Sequence, residues 1–476
     1  MLTDTRTIQF QAALKVARLL NQRSHDAYLI GGAVRDIWLG HLPKDFDLVT
    51  DATPDQILAI SELSRARYQD AAQAFGVTRV EVPITLGGQE WSGHVEVATY
   101  RRDIEAHLGR LLTRVEFASL AEDVQRRDFT INALALDLAN DFLVDLVEGI
   151  RDLNGQLIRF IGQPAERIRE DPLRVLRGIR FKNQLGFVYE AETAEAITAA
   201  AAAGMIEQVA TERLADELSR MLMHPSRQQA LLDLEKLGLL DKVLPEVAAG
   251  RGVAQPPEFH SEGDVWAHTL LAVSYLPSQV TRRLAWATLL HDIGKPPTYA
   301  SADTTGDRIR FSEHYKVGAQ LASQVLARLH FSKRFITDVA WMIEHHMGID
   351  DLPKMRLGRQ MKFMGHPAFA DLLALHQADA HASWRGRGQA QIDKSAPVFP
   401  ELAKLWQEYQ RLQDRSPPSL KRDLGVDGQW LNKQFGLAAG PRMGKVLTQL
   451  EAAYLDGEIS TIAQARQLAS RLLAQA

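Results

Sequence analysis

Residues 28–50 read YLIGGAVRDIWLGHLPKDFDLVT, and the expectations for the rest of the chain grow from them. A short apolar run, Tyr28-Leu29-Ile30, ends in Gly31-Gly32 and opens into a helical pattern carrying Arg35 and Asp36. Glycines at a strand-to-helix turn let backbone amides approach a ligand unobstructed. After a second turn at Gly40–Pro43 comes Asp45-Phe46-Asp47-Leu48-Val49. Strand alternation predicts Asp45 and Asp47 on one face, with Phe46 and Leu48 packed on the other. Two carboxylates beside a phosphate-sized nest suit a pair of Mg²⁺ ions and a nucleoside triphosphate.

The chain has 476 residues, enough for two to four domains with ample core. With 46% apolar and 24% charged residues it has the composition of a soluble globular protein. No apolar run reaches the length of a membrane span, and MLTDTRTIQF lacks a signal-peptide pattern, so the cytoplasm is the expected compartment. The absence of cysteine excludes disulfides and thiolate metal sites, leaving histidine and carboxylate as metal ligands. A net charge of −4 confines any nucleic-acid surface to a local stripe.

Residues 1–26 carry the periodicity of one amphipathic helix, and 54–63 that of another. Strands are predicted at 76–83 (GVTRVEVP) and 94–100 (HVEVATY), with Val95, Val97 and Thr99 opposite His94, Glu96 and Ala98. That alternation lets Glu96 join Asp45 and Asp47 from a neighbouring strand. Residues 101–120 show no strand periodicity and are expected to be a loop. Residues 159–182 hold seven Arg/Lys against three acids, a local excess of +4.

Singly, a Gly-Gly pair is a turn and an Asp-x-Asp an exposed strand. Joined in this order, they resemble the signature of the DNA polymerase β nucleotidyltransferase superfamily. The longer string GGAVRD…KDFDLVTDATP resembles its tRNA nucleotidyltransferase and bacterial poly(A) polymerase branch. The resemblance implies that Asp45 and Asp47 are catalytic and bind Mg²⁺, with Glu96 in VEVATYR as the third carboxylate. It assigns Gly31, Gly32 and Arg35 to the triphosphate. RRDFTINALA is similar to the family's sugar-recognition motif, which gives Arg126, Arg127, Asp128 and Asn132 to ribose and phosphate. EDPLRVLRGIRF matches its EDxxR motif, which makes Asp171, Arg174, Arg177 and Arg180 a hydrogen-bonding template for C or A. On this reading Asp171 and Arg174 are i, i+3 neighbours on one helix with Pro172 in its first turn. The family's flexible loop falls at 101–120, where only Gly109-Arg110 matches its usual run. DLVEGIRDL at 145–153 resembles the turn motif that follows.

A second set is His268, His291-Asp292 and Asp379, which resembles the HD phosphohydrolase superfamily, where these positions bind a divalent metal. Imidazole and carboxylate suit Mn, Ni, Mg or Fe better than structural zinc. His314 and either His345 or His346 are expected as second-metal or phosphate contacts. Further on, Lys354, Arg356, Arg359 and Lys362 form a candidate phosphate-contact stripe. Trp384–Gly388 reads as a linker, and Pro417-Pro418 precedes a helical tail.

The expected fold is multidomain α+β. A mixed-sheet nucleotidyltransferase head (1–150) precedes a helical neck (151–245), an HD body (246–400) and a helical tail (401–476). The resemblance implies a tRNA nucleotidyltransferase that adds CCA, or part of it, to tRNA 3′ ends from CTP and ATP without a template. Neither DNA nor a membrane is an expected partner. The HD body would act on RNA-end phosphates, and substrate RNA would be recognised by duplex shape. Rival readings are a CC- or A-adding enzyme, a poly(A) polymerase, a protein that is mainly an HD phosphohydrolase, and a non-catalytic RNA-binding protein.

Overall fold

The computed structural model describes residues 5–60, 67–68, 76–103, 115–258, 260, 262–383, 399–414 and 419–474. The chain packs as two compact units, Met1–Met221 with Gln229–Val243, and Leu222–Gln228 with Leu244–Ala476.

The first unit opens with α1 (Thr5–Gln22), whose apolar stripe of Ile8, Ala12, Ala13, Val16, Ala17 and Leu20 is buried. It is followed by β1 (Ala27–Ile30), α2 (Gly32–Trp38), β2 (Leu48–Thr50), α3 (Pro54–Leu58) and β3 (Arg67–Tyr68). A long hairpin pairs β4 (Val77–Leu86) with β5 (Gln89–Thr99). Then come β6 (Arg101–Asp103), β7 (Val115–Phe117), α4 (Leu120–Gln125), β8 (Ala135–Asp137) and β9 (Phe142–Val144). Seven strands form one sheet in the order β3-β4-β5-β2-β1-β8-β9. β2 runs parallel to β5 and antiparallel to β1, so the sheet is mixed as expected. Its apolar face buries Leu29, Leu48, Val80, Val82, Val95 and Val97.

Several predicted bounds move. α3 starts on a Thr53–Gln56 capping box with Pro54 at its head, but stops at Leu58 rather than residue 63, and 61–66 lie outside the described residues. The two hairpin strands are longer than predicted. Within 101–120, β6 and β7 pair as a separate two-stranded ribbon and α4 begins at Leu120, because Ser119 and Glu122 form a second capping box. Residues 104–114, including Gly109-Arg110, lie outside the described residues.

The rest of this unit is α5 (Gly149–Gly155), α6 (Pro164–Glu170), α7 (Leu173–Leu185), α8 (Ala191–Ala202) and α9 (Thr211–Leu222), followed by shorter helices. One small parallel pair, Leu157–Ile158 with Val188–Tyr189, interrupts the otherwise helical run.

Among its described residues the second unit is helical apart from the two-residue strands Tyr299–Ala300 and Arg310–Phe311. Its helices Val265–Ser274, Arg282–Leu290, Lys333–His345 and Phe369–Ala382 contribute the fully buried Val273, Trp286, Val339, Met342 and Leu372. A separate apolar cluster, including Leu431, Val446 and Leu450, holds the C-terminal helices together. The candidate phosphate stripe is only partly available, since Lys354 pairs with Asp351 at 2.9 Å and Arg356 with Glu458. Trp384–Gly388 and Pro417-Pro418 lie outside the described residues.

Candidate functional sites

The head carboxylates sit at the entry of β2, not within it: the strand begins at Leu48. Alternation nonetheless extends backwards, because Ile30 N–H donates to the Asp47 carbonyl at 3.1 Å and continues the ladder. Asp45 and Asp47 are exposed on either side of buried Phe46. Pairing of Leu48 with Val97 places Asp47 beside Glu96 on the next strand. Asp47 is pushed up to about 6 by partial desolvation, then by the charges of Glu96 and Asp45, against an opposing pull from Arg127. Mutually repelling carboxylates of this kind are what a divalent cation neutralises, so the donor set fits Mg²⁺. The tight three-donor groups among the described residues all lie in the second unit, and the head acids are more open.

Gly31, at φ 76°, turns the chain from β1 into α2. A Cβ there would lie 3.8 Å from Arg127 Nη1 and 3.6 Å from the Asn132 carbonyl, which puts the glycine turn against the RRD segment. Arg35 Nη1 donates to Asn132 Oδ1 at 2.6 Å, and its Nε and Nη2 donate to Asp36. Arg126 and Arg127 both donate to Asp123, a fully buried carboxylate.

Asp128 is also buried, and accepts from Phe129 N–H (2.7 Å), Asn132 Nδ2 (3.3 Å) and Arg177 Nε and Nη2 (2.8 and 2.6 Å). Burial alone would raise its pKa, yet Arg177 and these donors hold it below the carboxylate range. Arg180 donates to Glu217 Oε2 at 2.6 Å and lies 4.1 Å above the Phe181 ring.

The EDxxR segment differs from the single-helix expectation. Asp171 has extended backbone between α6 and α7, Pro172 caps α7, and the helix begins at Leu173. Asp171 therefore does not pair with Arg174. It accepts from Arg213 Nη1 and Nη2 on α9 at 3.1 and 2.7 Å. Arg174 is buried, donating to Glu170 Oε2, the Arg167 carbonyl and the Arg126 carbonyl at 2.8–2.9 Å. Asp123, Arg213 and Glu217 were not foreseen. Asp123 had a legible signal, standing three and four residues before the two arginines on a helix. Arg213 and Glu217 come from α9, 42 and 37 residues downstream of the residues they hold, and nothing local marks them.

In the second unit the expected histidines and acids converge. His268 Nε2 lies 2.9 Å from Asp379 Oδ1 and 3.3 Å from His291 Nε2, and His291 Nε2 lies 3.2 Å from Asp292 Oδ2. Each ring is fixed through Nδ1: His268 by Glu262, His291 by the Thr288 carbonyl, His314 by the Phe311 carbonyl and His346 by the Ile343 carbonyl. Nε2 is thereby left to face inward, the arrangement that metal-ligating histidines use. Gly294 keeps the HDIGK turn tight against His314, since a Cβ there would sit 2.1 Å from the His314 carbonyl.

Two buried atoms, Asp292 Oδ2 and His314 Nε2, have no hydrogen-bond partner, although Lys295 Nζ and His291 Nε2 lie 2.7 and 3.2 Å from the former. Unpartnered donor atoms at the centre of a fixed ring of imidazoles fit a divalent cation. His346 belongs to this group, with Asp292 and His314, whereas His345 stacks on Trp341 outside it. Burial lowers His346 to about 4, and the charge of His291 adds to that. Burial would also lower His268, yet hydrogen bonds to Asp379 and Glu262 raise it to about 9. Glu262 is a further residue that the sequence did not single out.

Three segments match known families: residues 27–159 the Poly A polymerase head domain, 186–250 the probable RNA and SrmB- binding site of polymerase A, and 266–384 the HD domain. An A-adding tRNA nucleotidyltransferase of Deinococcus radiodurans is 36% identical over 460 residues, covering 94% of this chain and 95% of that one. A CCA-adding enzyme of Streptococcus gordonii is 28% identical over 96% of each chain, and poly(A) polymerase I of Salmonella typhimurium 37% over 49% of this chain and 50% of its own. The crystal structure of the Bacillus stearothermophilus CCA-adding enzyme with CTP shares the fold at a TM-score of 0.65 and 23% identity, covering 98% of both chains. The matched domains and the full-length relative define a nucleotidyltransferase carrying an HD domain. The chain belongs to the family of tRNA nucleotidyltransferases and poly(A) polymerases.

Proposed function

We propose that this enzyme completes the CCA end of tRNA from CTP and ATP without a nucleic-acid template. The observation that carries the reading is the convergence in one unit of the Asp45, Asp47 and Glu96 carboxylates with the Gly31–Arg127 turn. It is supported by whole-length similarity to A-adding and CCA-adding enzymes, and by folds like those solved with CTP, ATP and a primer tRNA. Poly(A) synthesis is disfavoured, since the poly(A) polymerases matched align over only about half the chain. The division into head, neck, HD body and tail, and a cytoplasmic location, belong to the same reading.

Asp45, Asp47 and Glu96 would hold two Mg²⁺ ions. When bound, magnesium supplies activation of the terminal 3′-hydroxyl and charge neutralisation at the departing pyrophosphate. Gly31, Gly32 and Arg35 with Arg126 and Arg127 orient the triphosphate, and Asp128 and Asn132 the ribose. Asp171, Arg174, Arg177 and Arg180 shape the base site, with Arg213 fixing the half-buried Asp171 carboxylate.

A second reading, addition of the terminal A alone, is favoured by the departure of residues 101–120 from the family's loop pattern and by the A-adding relative. Incubating the protein with tRNAs ending before C74, or before A76, and then sequencing the products separates the two. Addition only to the second substrate selects A-adding.

The HD site is proposed as a phosphohydrolase acting on RNA-end phosphates. His268, His291, Asp292 and Asp379 would hold one divalent metal (Mn, Ni, Mg or Fe), and Asp292, His314 and His346 a second contact point. Such a metal supplies an activated water for attack on a phosphate ester. Release of phosphate from 3′-phosphorylated RNA, lost in His291→Ala/Asp292→Ala, tests it.

A further inference from the structure

Asp123 is fully buried on the inner side of α4. Its Oδ1 accepts from Arg126 Nε and Nη2 at 3.0 and 2.7 Å, and its Oδ2 from Arg127 Nε and Nη2 at 3.1 and 2.9 Å. One carboxylate thus orients two guanidinium groups by paired, charge-assisted bonds. Oδ1 also accepts from the backbone N–H of Arg101 at 3.3 Å, while Arg126 Nε donates in addition to the Arg101 carbonyl at 3.1 Å. Both backbone groups of the first ribbon residue therefore end on the Asp123–Arg126 pair. On the other side, the Arg126 carbonyl accepts from buried Arg174, and Arg127 Nη1 reaches the glycine turn.

We propose that Asp123 is a positioning residue that ties the base of the β6–β7 ribbon to the nucleotide clamp, so that ribbon geometry and nucleotide affinity are coupled. This rests on the assignment of Arg126 and Arg127 to the triphosphate. A ribbon that shifts must move Arg101, and through it the Asp123–Arg126 pair. A nucleotide that pulls Arg127 toward its phosphates loads the same carboxylate from the other side. Burial would raise the Asp123 pKa, but Arg127 and Arg126 hold it below the usual range, so the charge that does the orienting persists at neutral pH. Because coupling free energies are reciprocal, bound nucleotide must in turn steady the ribbon base.

The test measures binding of α,β-methylene CTP and ATP, which cannot turn over, and hydrogen exchange of the amides at 101–103 and 115–117. In the wild type, saturating analogue slows that exchange. Asp123→Asn keeps the shape and removes the charge, and is expected to weaken both analogues about tenfold and abolish the ligand-dependent slowing. Unchanged affinity and slowing in folded Asp123→Asn, with only a lower Tm, would mean a purely structural role and overturn the proposal. Arg127→Ala is the control for the underlying assignment. If it leaves affinity unchanged, the clamp reading fails; if it weakens binding while Asp123→Asn does not, only the coupling fails. Should Asp123→Asn not fold, Arg101→Pro removes the ribbon donor without touching a clamp side chain. Weakening of about threefold supports the coupling, and unchanged affinity overturns it.

Discussion

Arg177 donates through Nε and Nη2 to a single oxygen of Asp128, Oδ2, across 49 residues of sequence. The contact locks the RRD segment to α7, so the proposed sugar and base sites are built as one piece. It also fixes what Asp128 can do. With one oxygen taken by Arg177 and the other by Phe129 N–H and Asn132, only remaining lone-pair directions are left for a ribose hydroxyl.

Removing Arg177 should therefore destabilise the first unit and not only impair catalysis. Arg177→Met leaves a buried carboxylate unpaired, a loss of about 3 kcal/mol at the low end for breaking a buried pair. The Asp128 pKa is depressed in the fold, so its contribution is present above the unfolded value near 4 and is lost as pH falls through the folded value. Urea midpoints should thus differ between wild type and variant at pH 7 and converge under acid. A constant difference across that range would contradict the assignment.

Asp47 carries the opposite sign. Its folded pKa of about 6 exceeds the unfolded value, so its ionised form costs stability at neutral pH, and that cost is relieved as pH drops through about 6. In metal-free protein at pH 7.5, Asp47→Asn should raise Tm while transferase activity disappears. Equal or lower Tm would show that the three acids do not strain one another.

In the HD domain, His346 lies with Asp292 and His314 in a group that could hold a metal, and His345 stacks on Trp341. Metal analysis after loading with Mn²⁺, in an Asp45→Ala/Asp47→Ala background, should show reduced occupancy for His346→Ala and none of that loss for His345→Ala. The reverse ranking would place the wrong histidine in the site.

Much of this was legible in residue order. Strand, glycine turn, helix and acid pair forecast the β1–α2–β2 unit, and the period-two pattern of 94–100 put Glu96 beside Asp47. What local pattern cannot carry is the partner that arrives from elsewhere. Asp171 and Arg174 looked like helical neighbours because their spacing allows it, but Pro172 starts the helix after Asp171 and leaves that carboxylate to Arg213 on α9. The pairing of 101–103 with 115–117 leaves no trace in the sequence, because strands of three residues are too short for periodicity to register. His345 and His346 are adjacent in sequence, and only the end of their helix decides which one turns inward.

Transfer of nucleotides to tRNA 3′ ends through Asp45 and Asp47 is the step on which the proposed function rests. Its most direct test incubates wild type and Asp45→Ala/Asp47→Ala with tRNAs truncated at each of the last three positions, CTP, ATP and Mg²⁺, followed by 3′-end sequencing. Wild type is expected to yield ends that stop at CCA, and the variant no addition. No addition by wild type, or full addition by the variant, would contradict it.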